Sequence, residues 1–207
     1  FKNIAILLII SSSIIVIFNF FIIFKDGVKE RMPVLLQNVT VEETHKLIKN
    51  FKNQECLGLK EGCVFNSTSD KKVYIIGDSH AASLAFDLKE RIIRKNYQFV
   101  TSLLGDCGFF PGFNLTNLKT NKVDPNCNDI YFTELQKKLT TNPGSVIIFA
   151  SRLPLYLNNK EFNEKDGKSG KKWKKIYASD NKFDSVESSF KDTINKLSKN
   201  NKIILIY

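Results

Sequence analysis

Val73-Tyr74-Ile75-Ile76-Gly77-Asp78-Ser79-His80-Ala81-Ala82-Ser83-Leu84 is the stretch on which the reading of this chain turns. An apolar run of β character ends in a Gly-Asp-Ser turn, and helix-forming residues follow at once. That layout carries one serine hydroxyl to the carboxyl edge of a parallel sheet, where open α/β folds collect their ligands. Gly77 permits a tight turn, and the first-turn amides of the next helix are free to face a developing oxyanion. Asp78 and Ser79 also suit an ordinary helix cap, so the spacing alone serves capping as well as catalysis.

Outward from this stretch, strands and helices alternate. Residues 73–76, 97–104, 145–150 and 202–207 read as strands, each a short apolar run. Residues 81–95 read as a helix with Leu84, Leu88 and Ile92 on one face, and 129–139 as a second. A third runs to about 199 from a cap at Asp184-x-x-Glu187. This order predicts an α/β fold, a parallel sheet with helices on both faces, and strands apolar enough to be buried on both sides. Residues 25–40 read as a linker, and Thr40-x-x-Glu43 opens a short helix through 51. Residues 52–72 are irregular, and 158–182, rich in Lys, Asn and Gly, read as a surface loop.

The N-terminus adds a second element. Residues 3–24 carry no charge and are dominated by Ile, Phe, Leu and Val between Lys2 and Lys25. Such a helix rises roughly 33 Å, enough for a hydrocarbon core of about 30 Å. A transmembrane helix over 1–24 is therefore expected. A cleaved signal peptide fits less well, because the run is too long and no small-x-small cleavage site follows. Lys25, Lys29 and Arg31 after the span favour a cytoplasmic C-terminal part by the positive-inside rule.

The four cysteines argue for the opposite side. Cys56 with Cys63 and Cys107 with Cys127 form an even set in loop-like sequence, without zinc-ligand spacing and with only His45 and His80 nearby in type. Two disulfides in an oxidising compartment, Cys56–Cys63 and Cys107–Cys127, are expected, and no metal or other cofactor. The net charge of +10 comes mostly from scattered lysines, with Arg31, Arg91, Arg94 and Arg152 the only arginines. Few aromatics are interleaved with them, so nucleic acid is not an expected partner.

Gly77-Asp78-Ser79-His80-Ala81 directly after a strand resembles the first sequence block of the SGNH (GDSL-like) esterases and acyltransferases. The wider order is similar to the SGNH domain fused to the C-terminus of acyltransferase-3 membrane proteins. It comprises a membrane helix, a linker with a cysteine pair, the Gly-Asp-Ser-His block, and Gly105-Asp106-Cys107-Gly108-Phe109-Phe110-Pro111. Cys127 then precedes a helix, and Val146-Ile147-Ile148-Phe149-Ala150-Ser151-Arg152 leads to Tyr156. The resemblance implies a three-layer α/β/α fold: a membrane helix over 1–24, a linker over 25–72, and an SGNH-like domain over 73–207. It implies an extracytoplasmic domain on a bacterial inner membrane that O-acylates, and most specifically O-acetylates, cell-surface polysaccharide. The partners it implies are the bilayer, an acyltransferase-3 membrane domain and a polysaccharide acceptor, with the acyl donor undefined. Carbohydrate esterase or deacetylase action, or a non-catalytic glycan-binding or positioning module, are the alternatives.

Roles carry over by position. Ser79 is the expected nucleophile, the N–H groups of Ser79 and Gly105 the oxyanion donors, and Asp78 the helix cap that shapes the turn. Ala150-Ser151-Arg152-Leu153 stands where the superfamily has Gly-x-Asn-Asp, which makes Arg152 a possible substrate or oxyanion contact. The family's Asp-x-x-His block follows its last strand, whereas this sequence ends at Tyr207 within one. His80 adjoins Ser79 and diverges from it by about 100° on a helix. The expectation is a fragment that lacks its general base and is inactive by itself.

Overall fold

In the computed structural model, which describes residues 2–25, 47–157, 175–179 and 184–206, the quoted stretch lies at the middle of a five-stranded sheet. Its strands are β1 (Cys63–Phe65), β2 (Lys72–Gly77), β3 (Gln98–Leu103), β6 (Val146–Ala150) and β8 (Lys202–Ile206). Their spatial order is β1-β3-β2-β6-β8. The last four are mutually parallel, and β1 adds an antiparallel edge on β3. The expected parallel sheet is present, as part of a mixed α/β arrangement.

Helices cover both faces of β2, β3 and β6, which are apolar on both. β8, expected to be buried on both sides, is an edge strand among the described residues and leaves Ile204, Leu205 and Ile206 exposed. Tyr74, Ile76, Val100, Ile147 and Phe149 point to the side of α3 (Asp129–Thr140) and α5 (Val186–Ser198), where Phe132, Leu135, Phe190 and Leu197 close the core. Val73, Ile75, Phe99, Leu103 and Ile148 point to α2 (Ser79–Arg94). Each large side chain buried here contributes about 1.5–3 kcal/mol. The buried face of α2 is Ala81, Ala82 and Ala85, with Leu88 and Ile92 partly buried behind them. Leu84, expected in that stripe, is 38% exposed. Small alanines let the helix lie close to the sheet, which turns Leu84 outward.

Several local expectations are corrected. The cap of α5 is Ser185, whose hydroxyl accepts from Ser188 N while Ser188 Oγ accepts from Ser185 N, so Asp184 is not the cap. Within the expected loop 158–182, Lys175–Ser179 forms β7 against β4 (Phe113–Asn117), because Tyr177 is buried there. β4 also pairs with β5 (Lys122–Val123), making a separate antiparallel sheet of order β5-β4-β7. The helix expected through 51 falls mostly on 40–46, outside the described residues. From Leu47 the chain is not helical: Asn50 Oδ1 accepts from the amides of Lys52 and Gln54, and Asn53 takes a φ of +60°. The linker 26–39 also lies outside them.

Residues 46–207 form one compact unit and 1–45 another. In the second, α1 (Lys2–Phe24) is an unbroken helix of 23 residues. Five consecutive side chains, Ile14 to Phe18, are each more than half exposed, so apolar groups surround its axis. Among the described residues no helix is long and apolar enough to cross a membrane, the unbroken run of described side chains in α1 being 10–24.

Both disulfides form as expected, Cys56–Cys63 with Cα atoms 5.7 Å apart and Cys107–Cys127 with 5.8 Å. The first ties the strand entering β1 to residues beside Ile48, and the second closes the segment from which β4 and β5 emerge. Loop-closure entropy gives about 2.5 kcal/mol for the shorter loop and about 3 kcal/mol for the longer. Serine pairs at each bridge should lower the free energy of unfolding in urea in that order, with Cys107→Ser/Cys127→Ser the more destabilising.

Candidate active site

The chain leaves β2 for β3 on one side and later reaches β6 on the other, so the strand order reverses between β2 and β6. Ligands of open α/β sheets bind outside the carboxyl ends of the strands at such a point. The ends that meet here are Gly77 and Ala150, paired in register. Gly77 has φ +153°, and a Cβ on it would stand 1.8 Å from the Ala150 carbonyl oxygen. Only glycine lets the two strands end side by side.

Directly after Gly77, Asp78 caps α2 by accepting from His80 N at 2.9 Å. Its carboxylate is completely buried and does more than cap. Its Oδ2 accepts from Tyr156 OH at 2.8 Å, Arg152 N at 3.2 Å and Arg152 Nε at 3.4 Å. Arg152 follows β6, and Tyr156 lies one turn on in the short helix α4 (Leu153–Leu157). Arg152 Nη2 also reaches Asp106 Oδ1 at 2.6 Å. A buried carboxylate costs several kcal/mol of desolvation, offset here by bonds of about 1.5–3 kcal/mol each to a charged group. Arg152 is thus tied to two carboxylates and a phenol, its side chain about a third exposed.

Ser79 is the first residue of α2 and is exposed. Among the described residues its hydroxyl has no hydrogen-bond partner, and the amides of Ser79 and Gly105 have no acceptor. Leu104 N donates to Gly77 O at 3.0 Å, which brings Gly105 beside the turn. A Cβ on Gly105 would meet nothing within 4 Å, so packing does not demand glycine there. His80 is exposed, with its amide turned to Asp78, and His45 lies outside the described residues. No three His, Cys, Asp or Glu side chains gather as metal ligands among the described residues.

Behind the turn sits an aromatic cluster. Phe110 packs edge-on against Tyr177 at 4.8 Å and Tyr156 at 6.1 Å. Tyr177 OH accepts from Gly108 N at 2.7 Å and lies 3.6 Å from the disulfide sulfur of Cys127. A Cβ on Gly108 would enter the Phe110 ring. The loop carrying Gly105 is therefore held by β7, by the Cys107–Cys127 bridge and by Arg152.

The family model described as the SGNH domain (fused to AT3 domains) matches residues 48–207. The chain belongs to this family. No curated protein and no solved structure matches it. An SGNH domain of acyltransferase-3 fusions is an acyltransferase-associated, hydrolase-like module with esterase- or acyltransferase-type activity in general. The block that carried the resemblance, Gly77 to Ala81, lies in this SGNH domain at the strand-order reversal. Sequence reasoning quoted Asp106 and Tyr156 within the resemblance without giving either a role, and it did not single out Tyr177. The spacing Arg152-x-x-x-Tyr156 was the one local signal, since it puts both side chains on one helical face.

The same burial makes the site sensitive to alkali. Burial, then the neighbouring Asp78 carboxylate, raises the pKa of Tyr156, and burial raises those of Tyr177, Tyr131 and Tyr74. A phenol raised in the folded state contributes stability that is complete below the unfolded value near 10 and is lost as pH rises above it. Up to about 1.4 kcal/mol per phenol should be lost for each pH unit above about 10. Phenolate absorbance of these four tyrosines should accordingly appear together with unfolding, and Tyr156→Phe should flatten the alkaline limb of the denaturation midpoint.

Proposed function

We propose that this SGNH domain transfers an acyl group, most specifically acetyl, through Ser79 to a hydroxyl of a cell-surface polysaccharide. The observation that carries this reading is the Ser79 hydroxyl, without a partner at the strand-order reversal beside two unengaged amides, those of Ser79 and Gly105. Ser79 Oγ attacks the acyl carbonyl carbon, and a base takes its proton. Negative charge collects on the carbonyl oxygen, where the two amides donate to it, an effect of about 10²–10³-fold per donor. Collapse expels the donor's leaving group with a proton and leaves an ester on Ser79. A sugar hydroxyl then attacks that ester, its proton passes to the base, and the base returns a proton to the departing Ser79 Oγ. Water in place of the sugar makes the same centre an esterase or deacetylase.

Arg152 and Asp78 have a positioning role here: the carboxylate fixes the turn, and the guanidinium compensates it and Asp106 beside the oxyanion. The base in this reading would be a histidine of the kind the resemblance implies after the family's last strand. The absence of an imidazole or carboxylate on Ser79 Oγ among the described residues favours one other reading, a glycan-positioning module without chemistry.

A fluorophosphonate probe separates the two. In a protein that includes that histidine, labelling should map to Ser79, and Ser79→Ala should abolish labelling and polysaccharide acylation without loss of stability. The 1–207 chain should label about 10²–10⁴-fold more slowly. Acylation that survives Ser79→Ala would favour the module.

Residues 3–24 are proposed to span the bacterial inner membrane, next to an acyltransferase-3 membrane domain, with the domain outside the cytoplasm. Support comes from the uncharged apolar run of the whole helix and from two disulfides. A reporter fused after Lys72 should be active only in the form that works outside the cytoplasm; activity of the cytoplasmic form alone would reverse the orientation.

A further inference from the structure

A groove of about 410 Å³ opens on the α3 side of β3, away from the Gly77–Ser79 turn in sequence. Its volume lies at the low end of the range for small-ligand sites. The buried part is made by Ser102, Tyr131 and Leu135, and the Ser102 and Tyr131 hydroxyls lie 2.5 Å apart. That mutual bond uses one of their two protons and one of four lone pairs, so one donor and three acceptor positions remain for a ligand. The exposed sides carry Lys60 and Glu61 from the segment before β1, and Glu134 and Lys138 from α3. Among the described residues none of these four charged groups makes an ion pair. The same Ser102–Tyr131 pair walls a second cavity of about 10 Å³, room for no more than a water, whose other side is Gly77, Cys107 and Gly108.

We infer that this groove is a glycan subsite that holds one sugar unit of the acceptor. It deepens the function proposed above by assigning the acceptor a place, and it rests on that reading only for the word acceptor. A pyranose offers many hydroxyls that both donate and accept, together with an apolar C–H face. The groove offers the matching set: two carboxylates to accept, two ammonium groups to donate, a hydroxyl pair that does both, and the Leu135 side chain against the C–H face. Two positive and two negative groups cancel, so the groove selects for hydrogen bonding rather than for net charge, unlike a site for a polyanion. Glu61 and Glu134 form charge-assisted bonds to sugar hydroxyls, which are the stronger kind. Ser102 pairs in register with Ile76, one residue before Gly77, so the sugar sits on the strand next to the one that presents Ser79.

The test is saturation-transfer NMR on the 1–207 chain in a detergent without a sugar headgroup. The probes are the methyl pyranosides of glucose, galactose, mannose and N-acetylglucosamine, with inorganic phosphate as the anion control. At least one pyranoside should bind, and Glu134→Gln or Tyr131→Phe should weaken it by about tenfold or more. Glu134 is exposed, so its variant tests the groove without risk to folding. Neither variant should change the rate at which a fluorophosphonate labels Ser79, and Ser79→Ala should leave sugar binding intact. Binding by none of the four, binding that survives both groove variants, or binding of phosphate alone would overturn the subsite. Loss of Ser79 labelling with sugar binding retained would count against the nucleophile and not against the groove.

Discussion

The buried carboxylate of Asp78 is the interaction on which the site depends. It receives hydrogen bonds from the first turn of α2, from the backbone and side chain that follow β6, and from the phenol of α4. Two chain segments, 78–80 and 152–156, thus share one anion. A charge in such a place is tolerable only when its donors are all present and well aimed. The requirement runs in both directions: the donors fix the carboxylate, and the carboxylate fixes where β2, β6 and α4 end relative to each other. Ser79 inherits its position from that arrangement, being the next residue in the chain.

Around this anion the support is apolar and covalent. Phe110, Tyr156 and Tyr177 meet edge to face, an arrangement worth about 0.5–1.5 kcal/mol per pair beyond burial. The Cys107–Cys127 bridge holds the segment 105–112 from the far side, and Gly108 lets that segment come within reach of Tyr177 OH. The small antiparallel sheet of β4, β5 and β7 therefore serves the site indirectly, because β7 brings Tyr177 under the loop that carries Gly105.

Strands buried on both faces were legible in the sequence because they have to be continuous apolar runs, as in Ile75-Ile76 and Val146-Ile147-Ile148-Phe149. β1 escaped because it is only three residues long within the stretch 52–72 expected to be irregular, and β4, β5 and β7 because Asn114, Asn117, Lys122 and Lys175 interrupt the runs that carry the buried Phe113, Leu115 and Tyr177. The face of α2 was misjudged because periodicity weights leucine over alanine, whereas close packing on a sheet favours alanine. In the site, Ser79 and Gly77 were legible through a local motif, and the disulfides through the grouping of cysteines. The Asp78 hub was not, since Arg152 and Tyr156 reach it from 74 and 78 residues away. Pairings at that separation leave no periodic trace in a single chain.

Gly77 carries a consequence for how such a centre can vary. With the Ala150 carbonyl 1.8 Å from any Cβ, no side chain fits on that residue, and the backbone there has no slack toward β6. The floor under the serine is held by exclusion as well as by bonding. Adjustment to a new acyl group or a new acceptor has to come from the opposite wall, from the 105–112 segment and the residues after β6. Divergence among proteins built this way should gather on that wall, while the turn itself stays invariant.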